Sequence, residues 1–194
     1  MTAEEKLKLE EKYSYEDYKT WQDSENWEII GGKAYNMAPS PTRKHQKIGS
    51  KIHLEIGQFL KGKSCEVFYE LDVVLSKEDI VKPDIIVVCD KNKLTEQNVQ
   101  GAPDMVVEIL SPSTAKRDRG EKFELYKKHG VREYWIVDPY NLTIEQYDFQ
   151  NDKKIVYDFN ENTAENMVEV AIFCGELKLD VNYLLGEWKQ LNWN

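Results

Sequence analysis

Two short runs near the middle of the chain, Ile85-Ile86-Val87-Val88 and Met105-Val106-Val107-Glu108-Ile109-Leu110, constrain the fold more than any other feature. Both read as strands that are apolar on both faces, so each belongs in the centre of a sheet covered on either side. Glu108 stands inside the second run. A carboxylate there is costly unless it is paired or binds a metal ion. Period-two alternation puts Asp104, Val106, Glu108 and Leu110 on one face of that strand.

Helical and extended patterns alternate around these runs. Residues 3–12 alternate Glu and Lys as a polar helical lead-in. Ser14, with Asp17 three residues later, marks the start of a short helix over Tyr15–Trp21. Trp27–Ile30 and Lys33–Met37 flank Gly31-Gly32, the pattern of a hairpin, and Pro39-Ser40-Pro41 ends it. Thr42–Leu60 has a helical period with His45, Ile48, Ile52, Ile56 and Phe59 on one stripe, and Gly62 terminates it. Glu66–Ser76 reads as one strand, residues 115–129 as a second helix stopped at Gly130, and Arg132–Val137 as a strand. Leu142–Phe149, Lys154–Phe159 and Met167–Phe173 suggest an antiparallel meander, and a last helix near Val181–Leu185 covers an edge. The expected architecture is α/β (α+β) with a mixed sheet, in one domain over residues 1–194. Its core spans about residues 42–139, with an N-terminal helix and hairpin over 1–41 and a β-rich tail over 140–194.

Composition narrows the function classes. No apolar run approaches the ~20 residues that span a bilayer, and the N-terminus lacks an apolar signal region, so a cytoplasmic location is expected. Cys65, Cys89 and Cys174 are scattered and odd in number, which suits neither a disulfide framework nor a zinc site; reduced thiols are expected. The net charge of −9 argues against simple nucleic-acid binding. Basic residues nonetheless cluster over Arg43–Lys63 and over Lys116–Arg132, and such clusters are commonly solvated helix faces.

The residues with chemistry lie on the central elements. Asp84 opens its strand directly after Pro83, and if the two strands are neighbours, Asp84 and Glu108 project toward one point. Two carboxylates so placed are ligands for a hard cation such as Mg2+ or Mn2+, with the Ile109 carbonyl as a third oxygen. The plainer reading is that Asp84 caps a strand and Glu108 pairs with a buried base. On a helical wheel over 115–129, Ala115, Phe123, Leu125 and Tyr126 form the inward arc with Asp118 and Lys122, while Arg117, Glu121, Glu124, Lys127 and Lys128 face out. The Asp118–Lys122 pair is either a buried structural salt bridge or brings an ammonium to the carboxylates, where it could orient a water or neutralise a phosphoryl transition state. Glu28 could be a third acidic member or pair with a lysine. His45 could orient a ligand or be a satisfied core residue. Ser111 and Ser113 are placed to cap the second helix, and Tyr134 and Trp135 read as core.

Three blocks, Lys82-Pro83-Asp84-Ile85-Ile86-Val87-Val88, Pro103 to Thr114, and Gly130 to Pro139, closely resemble the Uma family, which is grouped with restriction endonucleases in the PD-(D/E)xK nuclease superfamily. Asp118, Lys122, Tyr126 and Gly130 stand at the family's spacing, and the likeness extends from about Tyr15 to Leu185 through Glu28-Ile29-Ile30-Gly31-Gly32 and His45. The resemblance implies a restriction-endonuclease-like core of one helix, three strands, a helix and a strand. It also implies divalent-metal hydrolysis of DNA phosphodiesters, with Asp84 and Glu108 as metal ligands and a homodimer as the working unit. Leu110 stands where the superfamily places its strand lysine, which leaves Lys122 as the replacement. The alternative is a non-catalytic nucleic-acid-binding or interaction module that keeps the fold.

Overall fold

The computed structural model describes residues 12–21, 26–37, 40–160, 162–163 and 165–186. The lead-in expected over residues 3–12 lies outside them except for Lys12, as does Pro39. In chain order the elements begin with α1 (Tyr15–Tyr18), β1 (Trp27–Ile30), β2 (Lys33–Asn36), α2 (Arg43–Leu60), β3 (Glu66–Tyr69), β4 (Val73–Ser76), β5 (Asp79–Val81) and β6 (Ile85–Val88). Next come β7 (Val99–Gln100), β8 (Met105–Ile109), α3 (Ala115–Arg119), α4 (Glu121–His129), β9 (Glu133–Asp138), β10 (Thr143–Asp148) and β11 (Lys153–Asp158). The last are β12 (Met167–Glu169), β13 (Lys178–Asp180) and α5 (Val181–Leu185).

Three sheets result. A six-stranded mixed sheet has the order β11-β10-β9-β8-β6-β3, a five-stranded one the order β2-β1-β5-β4-β7, and β12 pairs with β13 alone. In the large sheet β8 runs parallel to β9 and antiparallel to β6, so both apolar runs are interior strands as expected. Alternation divides their side chains between two cores. Ile85, Val87, Met105, Val107 and Ile109 pack under the α2 stripe of Ile48, Ile52 and Ile56, and Val181, Leu184 and Leu185 of α5 join them. Ile86, Val88, Val106 and Leu110 pack with Leu125 and Tyr126 of α4 and with Val73, Leu75 and Val81 of the five-stranded sheet. Thus α5 packs into the same core as α2, with Lys51 Nζ donating to the Tyr183 carbonyl at 2.6 Å. Lys51 is accordingly buried and departs from the solvated face expected of its basic cluster.

Several boundaries read from the sequence are redrawn. Glu66–Ser76 is two strands in two sheets. The chain breaks at Glu70, which takes a positive φ of 51°, and its amide donates to the Asp84 carbonyl at 3.0 Å. The second crossing between the same sheets is Lys82-Pro83-Asp84, which joins β5 to β6. Lys82 Nζ lies 3.3 Å from Asp72 Oδ1 and ties the two corners together. Period-two patterning registers burial, not which sheet is joined, so it misses this switch. The expected helix over 115–129 is likewise two helices, broken at Gly120 (φ −119°, ψ −93°), and only Gly130, at φ +87°, ends it as anticipated. Ser113 does not cap this unit: Thr114 is the N-cap residue, with no side-chain cap bond. Met167–Phe173 does not continue the β10-β11 meander, since β12 turns to pair with β13. The thiols also differ from expectation. Cys65 and Cys89 face each other one step beyond the Glu66–Val88 pair of β3 and β6, and their sulfurs are joined as a disulfide, leaving Cys174 free.

Gly130 isolates the backbone requirement from packing, because a Cβ built there meets nothing within 4 Å. Gly130→Ala should therefore lower stability by about 1 kcal/mol through left-handed strain alone, read as a shifted urea midpoint at unchanged slope.

Candidate active site

The register of β6 and β8 decides where the two acids stand. Ile85 pairs with Val107 in antiparallel register, and carrying that register one residue beyond the paired residues sets Asp84 opposite Glu108. Directly opposed antiparallel residues have Cβ atoms about 4.5–5.5 Å apart, close enough for their carboxylates to share an ion. Asp84 Oδ2 accepts from the Ile109 amide at 2.7 Å, and His45 Nε2 lies 3.2 Å from the same oxygen. Glu108 Oε1 accepts from Lys122 Nζ at 2.8 Å and from the Tyr126 hydroxyl at 2.6 Å. Asp84 Oδ1 and Glu108 Oε2 take no part in those bonds. Each acid therefore has one oxygen anchored and a second outside the anchoring contacts.

Lys122 is the centre of a buried charge cluster. Its ammonium lies 2.7 Å from Glu28 Oε1, 2.8 Å from Glu108 Oε1 and 3.6 Å from Asp118 Oδ1, and it is 1% exposed. Three carboxylates thus surround one ammonium in a low-dielectric interior. Burial pushes the Glu108 carboxyl well above its ordinary range; Lys122 opposes this, while Asp118, Asp84 and Glu28 add to it. Asp118 is raised for the same reason, again against the pull of Lys122. Burial works against the charge on Lys122, but Glu108, Glu28 and Asp118 outweigh it, so the amine is raised and stays an ammonium. Burial, reinforced by Glu108, also raises the Tyr126 hydroxyl, which remains a donor. His45 is raised too: burial disfavours its charge, and Asp84 with the Ile109 backbone more than compensates.

The surplus of negative charge suits a cation. Glu28 Oε2 and Asp118 Oδ1 are buried without a hydrogen-bond partner among the described residues. No group of three His, Cys, Asp or Glu side chains among those residues forms a preassembled metal cage. Mg2+, however, needs only one or two protein carboxylates, since it retains waters and takes substrate phosphate oxygens. Asp84, Glu108 and the Ile109 carbonyl fit that demand.

Comparison with known proteins follows the same lines. A family model described as "Putative restriction endonuclease", Uma2, matches residues 15–182. The chain belongs to the Uma2 family. The uncharacterized protein slr1290 of Synechocystis sp. is 30% identical over 128 residues, 64% of this chain and 67% of its own. The uncharacterized protein sll1609 of the same organism is 26% identical over 84 residues, 42% of this chain and 48% of its own, so the chain spans about half of that relative. A crystal structure of a putative nuclease belonging to DUF820 from Anabaena variabilis superposes with a TM-score of 0.74 at 26% identity, covering 89% of this chain and 97% of that one. The fold of this Uma2 member is accordingly the mixed α/β, restriction-endonuclease-like one.

Of the residues singled out in the sequence, Glu28, His45, Asp84, Glu108, Asp118, Lys122 and Tyr126 converge through the contacts above. Ser111 stays in the connecting loop, its hydroxyl 2.9 Å from Ser113 Oγ and 3.1 Å from Thr114 Oγ1. Arg117, expected on the outer face, has its guanidinium 3.7 Å from Glu28 Oε2 and 4.2 Å from the Tyr35 ring centroid. Arg117 and Glu121, four residues apart, both face Tyr35, and the long arginine side chain reaches from there to Glu28. The Lys82 amide, 3.1 Å from Glu28 Oε1, carries no sequence signal at all.

Two measurements test this electrostatic arrangement. Lys122→Met should destabilise the protein by about 3–5 kcal/mol at neutral pH, because it leaves buried carboxylates unpaired. Glu108→Gln should act oppositely. Above pH 4.5, the ordinary value, the unfolded chain has released the Glu108 proton while the folded chain still holds it, so wild-type stability falls as pH rises. Denaturant titrations should show the advantage of Glu108→Gln growing above that pH; a constant difference would contradict the raised carboxyl.

Proposed function

We propose that this Uma2 member is a divalent-metal-dependent endonuclease that hydrolyses DNA phosphodiester bonds. The observation that carries this reading is the opposition of Asp84 and Glu108 across adjacent strands, each with one oxygen anchored and one outside the anchoring contacts. Asp84, Glu108 and the Ile109 carbonyl would hold Mg2+ or Mn2+. When bound, the ion would offset charge on the phosphoryl group and lower the pKa of a bound water.

The chain's own residues prepare the site. The Ile109 amide and His45 set the Asp84 carboxylate; Lys122 and Tyr126 set that of Glu108. Lys122 is enclosed and remains charged, so it serves as a positioning residue that balances charge and does not take a proton from water. The segments that deliver His45 and Asp118 also carry the exposed Arg43, Lys47 and Lys116, which favours a phosphate backbone alongside despite the net charge of −9. A homodimer would present two such sites to the two strands of a duplex.

Nicking of supercoiled plasmid in Mg2+ or Mn2+ tests the proposal. Wild type should nick, chelation should stop it, and Asp84→Ala or Glu108→Gln should each lower the rate at least about 100-fold. Glu108→Gln is the informative variant, because it removes activity while retaining or raising stability. Cleavage that survives both substitutions would sink the metal-site assignment, and metal-independent DNA binding without cleavage would favour a binding module.

A further inference from the structure

We propose that Glu28 is a positioning residue that sets the placement of both metal-binding acids, a role that rests on the metal reading above. Glu28 lies on β1, in the five-stranded sheet, whereas Asp84 and Glu108 belong to the six-stranded sheet and its entry. It is fully buried in a strand whose four residues are all buried. A carboxylate in that setting is costly, so its contacts carry the explanation for its presence.

A single oxygen makes both connections. Glu28 Oε1 accepts from the Lys82 amide at 3.1 Å and forms an ion pair with Lys122, whose Nζ lies 2.7 Å away. Lys82 is separated from Asp84 only by Pro83, whose ring restricts φ to about −65°. Holding the Lys82 amide therefore fixes the direction in which the chain enters Asp84. Lys122 Nζ in turn donates to Glu108 Oε1. One branch from Glu28 reaches Asp84 through backbone, and the other reaches Glu108 through an ammonium. Arg117, 3.7 Å from Glu28 Oε2 and stacked over Tyr35, steadies the carboxylate from its other side. Because β1 is joined to β5 through the Ile29–Ile80 pair, the five-stranded sheet acts as the frame from which both ligands are aligned.

The test is Mn2+ binding by the whole protein, measured by electron paramagnetic resonance at a temperature where circular dichroism shows each variant folded. Wild type should bind Mn2+, and Glu28→Ala should weaken binding about 10–100-fold, as for groups that orient ligands without touching the metal. Glu28→Gln keeps an oxygen that accepts from the Lys82 amide and faces Lys122, and should hold affinity to within about tenfold of wild type. A purely structural Glu28 would lower the melting temperature of the alanine variant and leave its Mn2+ affinity unchanged, which would overturn the proposal. Should the alanine variant not fold, Glu28→Asp withdraws the oxygen by one methylene at constant charge. Weakened Mn2+ binding would then support the role and unchanged binding would overturn it. Failure of wild type itself to bind Mn2+ would remove the metal reading as well, whereas equal binding by wild type and the variants would overturn the positioning role alone.

Discussion

The enclosure of one ammonium by three carboxylates is the interaction on which the rest of this structure depends. Lys122 draws Glu28 from one sheet, Glu108 from the other and Asp118 from the preceding helix to a common point. None of these groups is cheap to bury alone, and breaking a buried ion pair leaves the remaining partner unpaired. The cluster therefore specifies relative placement: β1, β8, α3 and α4 must all be in position before every one of its contacts to Lys122 is made.

The path of the chain explains how such a point is reached. Two segments, Glu70–Asp72 and Lys82–Asp84, cross between the sheets side by side, with an ion pair from Lys82 to Asp72 between them. Asp84 stands at one of those corners, where regular pairing ends and a side chain is free of the packing demanded within β6. Glu108 stands one residue before the end of β8, under Tyr126 and Lys122. A cluster at the edge of regular structure, held by rigid strands on one side and a short helix on the other, combines fixed placement with proximity to the surface.

Electrostatics and stability pull in opposite directions here. The carboxylates outnumber the ammonium, and burial raises Glu108 and Asp118 against their charged forms. Retaining such a surplus costs stability, which is the pattern of a perturbed site and not of a core optimised for packing alone. The chain belongs to the Uma2 family, and its fold is shared with a protein described as a putative nuclease; the electrostatic pattern comes from this chain's own geometry.

Much of this was legible in the amino-acid sequence. The apolar runs around Val87 and Val107 required interior strands, and Glu108 inside one of them required a partner or an ion. The α2 stripe, the Gly31-Gly32 turn and the Gly130 stop are local patterns, decided by side-chain period and backbone φ, so sequence spacing determined them. The tertiary structure alone decided what joins across long separations. That Glu66–Ser76 divides between sheets, that Arg117 reaches Glu28, that Cys65 meets Cys89, and that Glu28 reaches both Lys82 and Lys122 all depend on contacts between residues remote in the chain. Periodicity records which side of an element is buried, but carries no information about which buried group it will meet. For Asp84, Glu108 and Lys122, sequence determined their kind and their burial; the register of β6 against β8 and the approach of β1 decided that they come together at one place.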